Sequence, residues 1–89
     1  MENIKELEIL GKMLSEKIRL KILLLLSNQE INSSKIHKLL RLPQNLTSHH
    51  LQTLLKHGFV KARKDGRFAY YSINKPAIKD LAAKLKILF

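Results

Sequence analysis

Residues 42–60 of this chain read LPQNLTSHHLQTLLKHGFV, and this stretch decides the fold. It predicts one short helix, because apolar side chains recur on one face at the three- and four-residue spacing of an α-helix. That face carries Thr47, Leu51, Leu54 and Leu55. Gly58 should end the helix, since glycine readily takes the left-handed conformation that follows a helix terminus. A strand then begins at about Val60.

The opposite face of this helix is polar and contains no acid. It carries Gln44, Asn45, Ser48, His49, Gln52 and Lys56. Amides and hydroxyls both donate and accept hydrogen bonds, as contacts to base edges and phosphates require. Gln44 and Asn45 are predicted to read bases, because a side-chain amide can pair with adenine through two hydrogen bonds. Lys56 is predicted to reach a phosphate. The plainer alternative is a polar face that is only solvated.

Three predicted helices precede this one. The first runs from Glu2 to about Met13, and the third runs from Asn32 or Ser33 to about Leu40. Because only three or four residues separate the third helix from the next, these two helices form a helix-turn-helix. The second helix, residues 16–26, is apolar nearly all round, which predicts that it is the most buried element.

Beyond the helix-turn-helix, the apolar period changes to two, which is typical of strands. Asp65-Gly66 lies between two such runs and predicts a tight hairpin, because glycine accepts the positive φ that such turns need. Cations near its tip are predicted to contact phosphate or the minor groove rather than only to solubilise the turn. They are Arg63, Lys64 and Arg67. The order α-α-α-α-β-β-α predicts a mainly α fold with a β-hairpin wing, a winged helix-turn-helix, in a single domain of residues 1–89.

Four segments resemble the ArsR-type (arsenical-resistance) winged helix repressors of bacteria and archaea. Leu14–Leu23 is similar to the opening of the family's second helix, and Leu42–Leu51 to its recognition helix, with a Ser-x-His-Leu step. His57–Val60 matches the exit from that helix, and Asp65–Ile73 resembles the wing. The resemblance covers about residues 14–73 and implies a DNA-binding regulator.

Apolar stripes run along the first helix and along a last helix that is predicted to begin after Asn74. A chain of 89 residues would struggle to cover both stripes alone. The resemblance implies a two-fold dimer made by these helices. The predicted interface contains Ile4, Leu7, Ile78, Leu81, Leu85 and Leu88. The alternative is an amphipathic membrane helix, because lysines occupy the outward side of the last helix.

The residues through which many ArsR-type proteins sense metals are missing. Residues 32–34, where those proteins have a Cys-x-Cys pair, read Asn-Ser-Ser, and the last helix has Asp80 but no histidine. His49 and His50 are neighbours on a helix and point about 100° apart, so they cannot share one ion. His50 is predicted to be a packed, hydrogen-bonded residue. We therefore predict no metal site built by one chain and no cofactor; a site between subunits stays open.

Composition points to the class of partner. Lys and Arg number 17 against 7 Asp and Glu, which gives a formal charge of +10. This excess favours a polyanion, with double-stranded DNA ahead of an anionic membrane. The chain has no cysteine and no apolar run long enough to span a bilayer, so we expect it in the cytoplasm. No catalytic combination of residues emerges, and the chain is not predicted to be an enzyme.

Together these observations predict a homodimeric, sequence-specific DNA-binding regulator that represses transcription by occupying a promoter. Two alternatives from other classes stay open. An architectural protein would coat DNA with little sequence preference, although a polar rather than arginine-rich recognition helix argues against it. A winged helix used for protein contact would leave the charge of +10 unexplained.

Overall fold

The computed structural model describes residues 2–86, with side chains from residue 4 onward. The elements are α1 (Glu2–Leu14), α2 (Lys17–Leu25), β1 (Ile31–Asn32), α3 (Ser33–Leu40), α4 (Gln44–Lys56), β2 (Val60–Asp65), β3 (Phe68–Ile73) and α5 (Lys75–Leu85). This order confirms the predicted mainly α winged helix-turn-helix. It differs by one added element, the short strand β1 before α3.

The joint of the helix-turn-helix is closed by local hydrogen bonds. Arg41 follows α3 in the left-handed region, with φ 56°. This lets its N–H donate to the Lys38 carbonyl, while the Leu42 N–H donates to the His37 carbonyl over 3.0 Å. These bonds satisfy carbonyls that the end of a helix leaves free. As predicted, three residues then separate α3 from α4.

A similar arrangement ends α4 and starts the wing. Gly58 has φ 78°, and its N–H donates to the Leu55 carbonyl. The Phe59 N–H donates to the Leu54 carbonyl over 2.9 Å, and both of these side chains are buried. This pattern of two bonds and one apolar contact is the Schellman motif. The predicted helix stop at Gly58 is therefore confirmed.

The sheet is antiparallel, with the strand order β1-β3-β2. Asp65 pairs with Phe68, so the two turn residues are Gly66 and Arg67, one position later than the predicted Asp65-Gly66. Gly66 has φ 64°, which the first position of such a turn requires. On the other side of β3, Ile31 pairs with Tyr71. β1 thus joins the wing to the start of α3.

The core lies between the helices and the inner side of the sheet. Its buried apolar residues are Leu10, Met13, Ile22, Leu26, Ile31, Ile36, Leu51, Leu54, Phe59, Val60 and Tyr71. The prediction that the second helix is the most buried element is wrong. Only Ile22 of α2 is buried, whereas Leu24 is 74% exposed, because α1, α3 and α4 cover one side of this helix and leave its outer side open.

The two helices predicted to make the dimer pack against each other within one chain. Leu7, Ile78, Leu81 and Leu85 are half-buried against the core. Ile4 is 62% exposed, and Leu88 lies outside the described residues. Lys84 of α5 forms ion pairs with Glu6 of α1 and with Asp80, and these carboxylates raise the pKa of Lys84.

Candidate nucleic-acid interface

The outer face of α4 is open to solvent along its whole length. Its exposed side chains are those predicted from the sequence: Gln44, Asn45, Ser48, His49, Gln52 and Lys56. The inner face is held against the core by Thr47, Leu51 and Leu54, which are almost fully buried. Because the inner face is fixed, the outer face is presented on a rigid element, as a groove-binding helix requires.

Two of the outward amides already make hydrogen bonds. The Gln52 Nε2 group donates to the Tyr71 hydroxyl over 3.1 Å, which links α4 to β3 of the wing. The Asn45 Oδ1 atom accepts the N–H of Leu46 over 3.0 Å. In the described part of the chain, this leaves the Asn45 NH2 group and both groups of Gln44 without a partner.

The tip of the wing carries two exposed cations. Lys64 lies near the end of β2 and Arg67 lies in the turn itself, where its guanidinium is 5.5 Å from the centre of the Phe68 ring. Neither cation forms an ion pair with any of the described residues. Both are therefore available to an external anion such as a phosphate.

Arg63, the third predicted cation of the wing, is placed differently. Its Nη2 lies 2.7 Å from Glu30 Oε1 and its Nε lies 3.2 Å from Glu30 Oε2, and the guanidinium covers the Tyr70 ring at 4.7 Å. Hydrogen bonding to Arg63 lowers the pKa of Glu30, and the same contact raises the pKa of Arg63. The Arg63 charge is therefore paired with a carboxylate of the same chain, and this pair connects the wing with the segment before β1. The sequence carried no local signal for this pair, since 33 positions separate the two residues.

Acidic side chains are held away from the outer face of α4. Glu30 pairs with Arg63, and Glu16 lies against His50. Glu6 and Asp80 both form ion pairs with Lys84, between α1 and α5. From Pro43 to Lys64 the sequence has no acid at all. The outer face of α4 therefore carries no negative charge, whereas the tip of the wing combines Lys64 and Arg67 with the exposed carboxylate of Asp65, which lies 3.8 Å from Arg63 Nη1.

His50 lies on the inner side of α4, 8% exposed, and its Nδ1 is 3.4 Å from a nitrogen of Arg19. The predicted packed and hydrogen-bonded role of this residue is confirmed. Burial lowers its pKa, and the facing Glu16 carboxylate opposes that effect.

Among the described residues, no group of three or more His, Asp or Glu could hold a metal ion. None of the helices seen in residues 2–86 is long and apolar enough to cross a membrane.

The model of the family described as "Bacterial regulatory protein, arsR family" matches residues 16–62. An arsenical resistance operon repressor of Staphylococcus aureus is 34% identical over 84 residues, which cover 94% of this chain and 81% of that protein. HlyU from Vibrio cholerae, which is named a transcriptional activator, has a solved structure that matches with a TM-score of 0.81 at 28% identity, covering 98% of this chain and 95% of that chain.

A further solved structure is a homodimeric winged helix-turn-helix DNA-binding domain from Mycobacterium bovis, described as a possible ArsR-family regulator. It matches with a TM-score of 0.78 at 29% identity, covering 96% of this chain and 79% of that chain. Both structural likenesses extend over α1 and α5 as well as over the helix-turn-helix and wing.

Proposed function

Because this chain belongs to the arsR family of bacterial regulatory proteins and is a DNA-binding transcriptional regulator, we propose that it acts as a homodimeric repressor with α4 in the major groove. The family and the regulatory function predicted from the sequence are thereby confirmed. We further propose that the chain forms one domain and has no enzymatic activity. Because its proposed partner is DNA, we propose that it acts in the cytoplasm.

One observation carries the proposed contact surface: the outer face of α4 is exposed and free of acids, and the hydrogen bond from Gln52 to Tyr71 joins α4 to the wing, which carries Lys64 and Arg67. Gln44 and Asn45 stand at the start of α4, the end of a recognition helix that reads base edges. The free amide of Gln44 suits adenine, Asn45 offers its free NH2 group, and Ser48 and His49 extend the same face by one turn. Lys56, Lys64 and Arg67 are proposed to contact phosphates.

The dimer is proposed to form through α1 and α5. Ile4 is exposed on α1, and Leu7, Ile78, Leu81 and Leu85 are only half-buried in a single chain, so a second copy can cover more of each. A two-fold dimer would present two α4 helices to successive major grooves, about 34–36 Å apart along the duplex. An operator of two related half-sites follows from this symmetry. Repression would result when the bound dimer occupies a promoter.

The test is the ratio of affinities for selected and random DNA. Duplexes selected by the full chain from a random pool should bind at least about 1,000-fold more tightly than a random duplex of equal length. Equal affinity for the two would identify an architectural protein instead. Failure to bind either duplex would favour a winged helix used for protein contact.

A matched pair of lysine variants then locates the surface. Lys56→Ala should weaken binding to both kinds of duplex, because it removes a proposed phosphate contact. Lys79→Ala removes the same charge from an exposed position on α5, and it should leave binding nearly unchanged. Equal losses in the two variants would show that only net charge matters and would contradict the proposed surface.

A further inference from the structure

Three polar side chains meet where α1, α2 and α4 come together, on the side of α4 away from its exposed polar face. They are Glu16, which is the N-cap of α2, Arg19 in the first turn of α2, and His50, which is buried on α4. We call these three side chains the Arg19 junction. The contact surface proposed above makes no use of it.

Arg19 contacts all three helices. Its Nη2 donates to the Lys12 carbonyl over 2.8 Å and its Nε donates to the Met13 carbonyl over 3.1 Å. Both carbonyls belong to the last turn of α1, where no helical N–H remains to bind them. The Nη1 of Arg19 lies 3.4 Å from His50 Nδ1. The Glu16 carboxylate accepts the Arg19 backbone N–H over 3.1 Å and lies 3.6 Å from the same His50 nitrogen.

We propose that Arg19 is a positioning residue that fixes the direction of α4 relative to α1, and that it thereby sets the spacing of the DNA half-sites which the dimer accepts. This inference rests on the proposed function, since it needs α1 in the dimer interface and α4 in the major groove. Apolar packing of Leu51 and Leu54 attracts α4 to the core without regard to direction. Hydrogen bonds to a planar guanidinium do depend on direction.

A small rotation at the junction is enough to change the spacing. Gln44 precedes His50 by six residues, so it lies about 9 Å away along the axis of α4. A rotation of about 10° at the junction would move Gln44 by about 1.6 Å on that lever arm. The two-fold axis doubles the change to about 3 Å, which is close to the rise of about 3.4 Å per base step. Losing the junction should therefore let the dimer accept spacings one base pair away from the optimum.

The test uses duplexes that carry the selected half-sites at the preferred spacing and at one base pair more or less, together with a duplex that carries one half-site. Arg19→Lys keeps the charge but lacks the planar fork that reaches two carbonyls and His50. His50→Leu removes the ring nitrogen, whereas His50→Asn offers an amide oxygen near the position of Nδ1. Ile22→Val is the control, since it removes one methylene from a buried residue of the same helix that is not a member of the junction, and it should lower stability modestly.

The wild-type protein should prefer its spacing by at least about tenfold, comparable to the cost of one mismatched position. Arg19→Lys and His50→Leu should reduce this preference severalfold and leave binding to one half-site nearly unchanged, while His50→Asn should restore much of it. If Arg19→Lys and His50→Leu both kept the wild-type spacing preference, the inference would be overturned. It would also be overturned if these variants lost DNA affinity equally at every spacing and Ile22→Val lost as much. A wild-type protein without any spacing preference would contradict the proposed dimer on two half-sites, and the inference would fall with it.

Discussion

The sharpest prediction of the proposed interface concerns the charges of the wing, because the structure separates three neighbouring cations into two kinds. Lys64 and Arg67 are exposed and form no ion pair with the described residues, whereas Arg63 is held by two hydrogen bonds to Glu30. Only unpaired cations should displace counterions from DNA. The double variant Lys64→Ala, Arg67→Ala should therefore change the salt dependence of binding, and Arg63→Ala should change it little.

The magnitude follows from counting charges in the dimer. Two cations in each of two protomers make four phosphate contacts, and each contact contributes about 0.9 to the slope of log K against log salt. The double variant should flatten that slope by about 3.6. When the salt is raised from about 50 to about 200 mM, the affinity of both proteins should fall. The factor by which it falls should be about 150 times smaller for the double variant than for the wild type.

The measurement is fluorescence anisotropy of a labelled operator duplex at several salt concentrations, with the double variant Lys75→Ala, Lys79→Ala as the charge-matched control on α5. An unchanged slope in the double variant would remove the wing from the DNA interface. A flattening of about 1.8 in Arg63→Ala would mean that Arg63 leaves Glu30 and binds phosphate, as the sequence first indicated. The Glu30→Gln variant would then bind DNA more tightly than the wild type, because the competing carboxylate is gone.

Three further predictions concern specificity, assembly and pH. Gln44→Ala should cost about 1–3 kcal/mol per half-site on the selected operator and much less on random DNA, as competition binding would reveal; equal losses would limit Gln44 to positioning. Ile4→Glu should weaken the dimer by about 2–4 kcal/mol, because it removes one exposed apolar side chain from each protomer without touching the core, and sedimentation should then show monomers that retain helical circular dichroism. Burial lowers the pKa of His50 below its ordinary 6.5, aided by Arg19 and His49 and opposed by Glu16, so unfolded chains bind this proton more readily than folded ones. Stability in urea titrations should therefore fall as the pH drops below about 6.5, and a fall of equal size in His50→Asn would assign the effect to another group.

The features that the sequence predicted well are those with a local cause. The end of α4 depends on Gly58 and on hydrogen bonds to residues three and five positions earlier, so it is visible in a window of a few residues. The two faces of α4 follow from its helical period in the same way. The wing turn was predicted one position early because Asp65-Gly66 and Gly66-Arg67 both offer the glycine that the turn needs.

The features that the sequence did not reveal depend on distant partners. β1 is only two residues long and becomes a strand because it pairs with Tyr70 and Tyr71 of β3. The apolar side chains around α2 gave no hint that Leu24 would stay exposed, because exposure depends on which neighbours arrive. Glu30 and Arg63 are far apart in the chain and meet only after the sheet has formed.

The segment from Glu30 to Ser34 connects these observations. In metal-sensing ArsR-type proteins, the later part of this segment carries the metal-binding thiolates. Here the Asn32 Oδ1 atom instead accepts hydrogen bonds from the backbone N–H and the hydroxyl of Ser34, at 2.9 and 3.0 Å, and so caps α3. Such a cap stabilises a helix by about 1 kcal/mol. Neutral amide and hydroxyl oxygens are also poor ligands for soft metals. At the other end of the segment, Glu30 binds Arg63. The short strand β1 follows Glu30 and pairs with β3. The same five residues thus support the first helix of the helix-turn-helix and the wing, so a change at this segment would act on both parts of the proposed DNA surface together.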